Sequence, residues 1–192
     1  MGTKLRIALI IALQTLALFS MIAMRQWTLS TGTSVTLETA PIDPRSLFSG
    51  DYVRLNYKIS DIRLDGISGD SEFKRHDCVY VLLKESDPYW QPVSVHHNKP
   101  TVPPGHLAIK GEVNYANEIS WNQETGKSEK AKNINVRYGI ESYFLPEGEG
   151  RGLERPKEGE KVTILVAVDR YGNAGIKSLL VNGNERFRES LF

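Results

Sequence analysis

The residues of this chain whose types and spacing could do chemistry lie in two stretches. In DPRSLFSGDYVRLNYKIS, Asp43 to Ser60, four groups gather around Gly50 ahead of an alternating run: Asp43, Arg45, Asp51 and Tyr52. In NINVRYGIESYFLPEGEG, Arg137, Glu141 and Tyr143 recur at the parity of one strand face, with Gly139 between them. Carboxylates beside arginine and tyrosine serve two chemistries. They hold a polar ligand through charge-assisted hydrogen bonds. As a pair about 5–9 Å apart, they hydrolyse glycosidic bonds. Each stretch also has a plainer reading. Gly50 takes a turn conformation at no steric cost, Asp51 bonds a backbone N–H as turn aspartates do, and Leu55 and Tyr57 fall with Val53 and Ile59 on the core face. Arg45 and Asp51 pairing across the turn, with Tyr52 closed over them, makes either a rigid entrance to the strand or one wall of a site. The second stripe reads as a strand exposed on one side, with Arg137 and Glu141 as same-face neighbours worth little when solvated. Asp51 and Glu141 make one site only if their strands adjoin. A separation beyond ~15 Å dissolves it, because salt screens charges that far apart.

Other chemistry has less footing. The single cysteine, Cys78, has no disulfide partner and no metal or redox spacing, and beside Val79–Leu83 it reads as a small core residue. His96 and His97 are adjacent, so on a strand they point to opposite faces, while His76 and His106 stand alone. Glu147 and Glu149 lack the spacing of a calcium loop. Ser46 and Ser49 sit outside the context of a signal-peptidase-like nucleophile, and nothing marks Lys84 or Lys110 as its base. No phosphate loop follows a strand. No metal and no cofactor is expected.

The elements that must carry these groups begin with an apolar segment. Ile7 to Met24 is eighteen residues without a charge, close to the ~20 that span a bilayer as a helix. Lys4 and Arg6 precede it and Arg25 follows, so the positive-inside bias puts residues 1–6 in the cytoplasm and the rest of the chain outside. A cleaved signal peptide is the rival reading, but in the exit FSMIAMRQW Met21 stands two positions before Ala23, a poor match to the small-x-small pattern of a cleavage site. Residues 7–24 are therefore expected to be a signal-anchor helix, 25–34 a polar tether, and 35–192 one extracytoplasmic domain.

Over residues 26–192 the chain carries 21 basic and 23 acidic residues, a net −2, with no basic stripe. Nucleic acid is excluded as a partner. Short alternating runs separated by Gly, Pro, Asn and Asp predict strands at Val35–Thr39, Tyr52–Ile59, Val79–Lys84, Tyr89–His96, Leu107–Val113, Asn133–Tyr143, Lys161–Val168 and Gly175–Val181. Lys161–Val168, apolar on both parities, reads as a central strand. KESDPYW, DRYGNAG and the Asn-Gly of VNGNERF read as hairpin connections, and SWNQETGKSEKAKN as a solvated hairpin or loop. One or two short helical turns fit around Asp43–Pro44 and in residues 147–160. The fold class is all-β, barrel or sandwich, behind a single N-terminal helix.

GDYVRLNY, with ETAPIDPRSLFS before it and VRYGIESYFLPEGEG after it, resembles the bacterial GDYXXLXY-motif family, and with the apolar leader the likeness spans nearly the whole chain. The resemblance implies no particular activity, substrate or cofactor. It implies a place in the bacterial cytoplasmic membrane and a multi-pass membrane protein as a neighbour. The expected function is recognition of an envelope partner, such as a membrane protein or cell-wall component, by an anchored domain. The alternative is an envelope hydrolase acting on glycan or peptide through carboxylates such as Asp51 and Glu141.

Overall fold

A computed structural model describes residues 2–40, 52–122, 127–144 and 161–188. One helix, α1 (Thr3–Thr31), leads the chain. Its Leu, Ile, Ala and Met are good helix formers, and nothing stops it at Met24. It runs on through Arg25 and Trp27 until Gly32 turns to extended backbone and donates its N–H to Thr28 O at 3.0 Å. The 29 residues reach about 43 Å. The large apolar side chains from Leu5 to Trp27 are all more than half exposed. The helix is thus long and apolar enough to cross a membrane.

The expected tether does not exist. Residues 25–31 are helical, β1 (Thr33–Glu38) starts at Thr33, and Gly32 alone separates the two. Thr28 explains why: its hydroxyl is buried against the domain, so the last helical turns belong to the domain rather than to a linker.

The remaining strands among the described residues are β2 (Tyr52–Arg54), β3 (Asp61–Arg63), β4 (Ser68–Gly69), β5 (Cys78–Lys84), β6 (Gln91–His96), β7 (His106–Asn122), β8 (Lys127–Arg137), β9 (Ser142–Phe144), β10 (Val162–Val168), β11 (Ala174–Val181) and β12 (Asn184–Arg188). They form a four-stranded sheet in the order β1-β10-β11-β12, a ribbon of β2 and β9, and a six-stranded sheet in the order β3-β8-β7-β5-β6-β4. The larger sheet curls into a half-barrel. One apolar cluster joins all three, from Val35, Ile164 and Leu179 through Leu55 and Tyr143 to Val81, Ile109 and Val136.

β10 is central as expected, flanked by β1 and β11. Ile164, Val166 and Ala167 are fully buried on alternate parities, and α1 packs on β10 and β11. Both hairpin expectations around it hold: β10 turns into β11 through residues 169–173, and β11 into β12 through Asn182 and Gly183, both at positive φ as an Asn-Gly turn requires. β5 and β6 also pair as a hairpin. The stretch expected as a solvated hairpin or loop falls on the outer part of β7 and β8, which pair out to Asn122 and Lys127.

Three strand expectations need correction. Tyr52–Ile59 is not one strand: β2 ends at Arg54, Tyr57 makes a single bridge to Thr39, and Lys58–Ser60 form a tight helical turn. Asn133–Tyr143 is two strands, because Gly139 at φ +77° breaks the chain between β8 and β9. Cys78 is exposed, not core, since Val79, Val81 and Leu83 take the inward parity of β5. The helical turns expected around Asp43 and in residues 147–160 lie outside the described residues, and turns are found instead at Lys58–Ser60 and Leu64–Gly66.

Candidate functional site

The two stretches singled out by their chemistry do lie on neighbouring strands. β2 pairs antiparallel with β9, Tyr52 opposite Phe144, Val53 opposite Tyr143 and Arg54 opposite Ser142. The contacts that join them are those of a weld. Leu55 N donates to Glu141 O at 2.8 Å, and Tyr57 Oη donates to Ile140 O at 2.6 Å. In the reverse sense, Tyr138 Oη donates to Ile59 O at 2.6 Å. On its other side the motif is tied to the end of β1, where Ala40 N donates to Asn56 O at 2.8 Å. Burial, then the charge of Glu141, pushes the Tyr57 and Tyr138 hydroxyls well above the ordinary tyrosine range. Both are fixed donors inside a core.

Each candidate from the second stretch has a separate fate. Glu141 is half-buried and its carboxylate accepts from Tyr138 N at 2.5 Å, clasping the Gly139 turn. Tyr143 is buried in the core, because the parity that turns Val136, Tyr138 and Ile140 inward holds past Gly139 and reverses between Glu141 and Tyr143, where β9 begins. Arg137 alone is exposed, and its ionic neighbour is Glu112 on β7 rather than Glu141. Of the first stretch, Asp43, Arg45, Gly50 and Asp51 lie outside the described residues, and of Tyr52 the backbone alone is described.

Arg137 belongs to a row that local sequence does not announce. Register places Cys78 opposite Glu112 across β5 and β7, and Glu112 opposite Arg137 across β7 and β8. All three side chains face outward, because the parity that buries Val79, Val113 and Val136 leaves them on the other side. His76 joins from the turn before β5, where it holds φ +72° and its N–H donates to Val113 O at 2.7 Å. Its Nδ1 lies 2.7 Å from Glu112 Oε1, and Arg137 Nη2 lies 3.6 Å from the same oxygen. The hydrogen bond from His76, helped by its charge and that of Arg137, holds the Glu112 carboxyl below the usual carboxylate range. With Lys110, Gly111 and Gly139 these residues line an open cleft of about 450 Å³. His76 and Glu112 were missed because they meet 36 residues apart; a left-handed histidine leaves no mark in a sequence without its turn.

A third node joins helix to domain. Thr28 Oγ1 donates to Asp169 Oδ2 at 2.8 Å, and Asp169 also accepts from Tyr171 N, Asn173 N and Asn173 Nδ2 at 2.8, 3.0 and 3.0 Å. Burial pushes the Asp169 carboxyl up, but the bonds from Asn173, Thr28 and the turn backbone outweigh it and leave it lowered. Close approach where helix meets sheet needs a small residue at Gly32, where a Cβ would meet Val168 N at 2.9 Å. Beyond Arg137, β8 leaves the edge of β7, and the β10–β11 turn takes its place, with Lys110 N donating to Gly172 O at 2.8 Å. The aspartate of DRYGN was legible as a turn residue; its bond to Thr28, 141 positions earlier, was not.

Asn173 and Ala174 line both the Glu112 cleft and a second, mainly apolar one of about 480 Å³ against Ala23, Met24, Arg25, Trp27 and Thr28. The charged row and the exit of the helix are therefore two parts of one surface.

A family model described as GDYXXLXY protein matches residues 14–179, from inside α1 to the middle of β11. No curated protein and no solved structure matches the chain.

Proposed function

The chain belongs to the GDYXXLXY family, and on the geometry above we propose that it is a membrane-anchored recognition domain on the extracytoplasmic side of the bacterial cytoplasmic membrane. α1 anchors it, with Lys4 and Arg6 on the cytoplasmic side. The face bearing His76, Glu112 and Arg137 meets the partner, and a multi-pass membrane protein suits that role better than a cell-wall component. The observation that carries this reading is the continuity of the charged row with the helix exit, through Asn173 and Ala174. With Gly32 the single residue between α1 and β1, and Thr28 bonded to Asp169, that face is held at fixed height and orientation above the bilayer. A rigid mount suits a partner embedded in the same membrane.

Recognition is favoured over hydrolysis by electrostatics. A glycosidase acid is a carboxyl pushed up by its surroundings. Among the described residues, the carboxylates whose pKa moves, Glu112, Asp169 and Glu185, all move down. Each is an acceptor of fixed hydrogen bonds.

The lone, exposed Cys78 makes the topology testable without substitution. A membrane-impermeant maleimide should label it in intact spheroplasts; labelling that needs lysis puts the domain in the cytosol and ends the proposal. A photo-crosslinking residue at position 137, in cells, should give discrete adducts with an integral membrane protein. The same residue at Asn184, at the start of β12, should give none. Matching adduct patterns at both positions would remove the charged face from the account.

A further inference from the structure

Gln14 is the single amide side chain in the uncharged run from Ile7 to Met24. It stands eight residues after Arg6 and eleven before Arg25. On a helix it therefore lies about 12 Å from one charged boundary and about 16 Å from the other, near the middle of the hydrocarbon core. Its side chain is exposed, and its two N–H donors and carbonyl oxygen make no hydrogen bond among the described residues. Ser20 is the contrast: its hydroxyl donates to Ala17 O at 2.7 Å and is satisfied within the helix. Lipid chains offer an amide nothing in return, so the group that satisfies Gln14 comes from another protein helix.

The side of the helix on which Gln14 lies is decisive. Around the axis it is about 20° from Arg25, about 40° from Thr28 and about 60° from Leu29. Those are the residues that meet the domain. Thr28 is bonded to Asp169, and Leu29 Cδ2 and Arg25 Nη1 come within 2.9 and 3.6 Å of the place a Cβ on Gly175 would take. β10 and β11 thus overhang the face of α1 that carries Gln14, with Ile10 a turn below it and Leu18 and Met21 above, all more than half exposed. A second copy of α1 laid along this face, at the usual spacing of about 8–10 Å between axes, would carry its own residues 25–31 into β10 and β11, which already fill that side. A helix that ends near the level of Met24 fits. Its outer end lies beneath the β10–β11 hairpin, whose Asn173 and Ala174 line the Glu112 cleft.

We propose that the Gln14 face of α1 packs against a transmembrane helix of the integral membrane partner. That helix carries a hydrogen-bonding side chain of its own at mid-membrane and ends at headgroup level under β10 and β11. The Gln14 amide bonds that side chain, and Ile10, Leu18 and Met21 pack around the bond. The charged row then meets the partner's outer loops, so the partner is gripped at two heights on one side of the joint. The inference rests on the recognition reading above and adds a contact inside the membrane; its test separates the two.

In cells, the full chain with a photo-crosslinking residue at position 18, one turn from Gln14, is compared with one carrying it at position 16, on the far side of the helix. Leu18 and Leu16 are equally exposed. Position 18 should give a discrete adduct with the protein that position 137 reaches, and mass spectrometry should place the crosslink in a transmembrane segment of it. Position 16 should give at least fivefold less. Q14L should lower the position-18 adduct at least fivefold, while Q14N, which keeps an amide, should retain at least half of it. Both changes lie outside the folded domain, so protein level and maleimide labelling of Cys78 should match the parent. An adduct with the mass of a second copy overturns the proposal, as do equal adducts at 18 and 16 or an adduct indifferent to Q14L. An adduct at 137 with none at 18 overturns it and leaves the charged face standing. An adduct at 18 that Q14L removes, with none at 137, keeps the helix contact and removes the charged face.

Discussion

Tyr138 and Arg137 are neighbours in the chain and opposites in the fold. Tyr138 points inward, donates to Ile59 O and, with Tyr57, stitches the GDYXXLXY segment to the turn after β8. Arg137 points outward, opposite Glu112, with His76 beside it. The weld is built from tyrosine and glutamate and the row from histidine, glutamate and arginine, all residue types that suggest a site. The difference lies in solvent. In the buried region every hydrogen bond replaces one that water can no longer make, so loss of a partner strands its mate. In the exposed row water and salt stand ready to replace each contact, so the charges contribute little to stability and stay available to a partner. The described end of the family's signature motif, Leu55 to Tyr57, is a structural weld, and the face proposed for recognition lies outside it.

This contrast can be broken, and the most damaging change should be in the weld. Tyr57→Ala removes a fully buried ring and its bond to Ile140 O, and should cost about 3–5 kcal/mol or abolish folding. Thermal unfolding in detergent, followed by circular dichroism, gives the value, and a loss below about 1 kcal/mol would contradict the weld. Tyr57→Phe and Tyr138→Phe keep the ring and strand one carbonyl each, so each should cost about 1–3 kcal/mol. Their double variant should be less harmful than the two losses added, if the two bonds close the same joint.

Asp169→Asn, at the helix joint, should come next, at about 1–3 kcal/mol near neutral pH. Its pH dependence has a definite sign. The Asp169 carboxyl is lowered in the folded protein, so its contribution is complete above the ordinary aspartate value of about 3.9. It falls away as pH drops from there through the lowered folded value. The gap between parent and variant should therefore close in acid and stay constant above about pH 5. A gap that widens in acid would mean that the carboxylate is not held ionised by Thr28 and Asn173.

The smallest effect on stability belongs to Glu112→Gln. It leaves an exposed side chain exposed, and the melting temperature should not move, while photo-crosslinking from position 137 should weaken and the parent's crosslinking should fade with added salt. A clear loss of stability would make the row another weld and erase the contrast.

Much of the framework was readable in residue order because it depends on local period. Alternation in Val79–Leu83, apolar residues on both parities of Val162–Val168 and the Asn182–Gly183 turn each place their own residues, and each stands as read. The core roles of Leu55 and Tyr57 were readable in the same way. The site was less legible. Tyr143 was assigned to the face of Arg137 by counting in twos, and the count holds through Ile140 but fails after Glu141, where β9 starts with the opposite parity. Cys78 sits in an apolar run yet takes the outward parity. The polar letters of Thr28–Ser34 suggested a tether, while burial of Thr28 by a partner 141 residues away made the segment half helix and half strand.

Residue order by itself determined a helix able to span a bilayer, a β domain behind it, and membership in a family defined by its tyrosine motif. These follow from periods of 3.6 and 2 and from the cost of exposing apolar surface to water, which are properties of short stretches. The tertiary structure decided which polar residues are welds and which are free to meet a partner. That choice depends on whether water reaches them, and access to water is a property of the closed fold, set by strands and turns far apart in the chain.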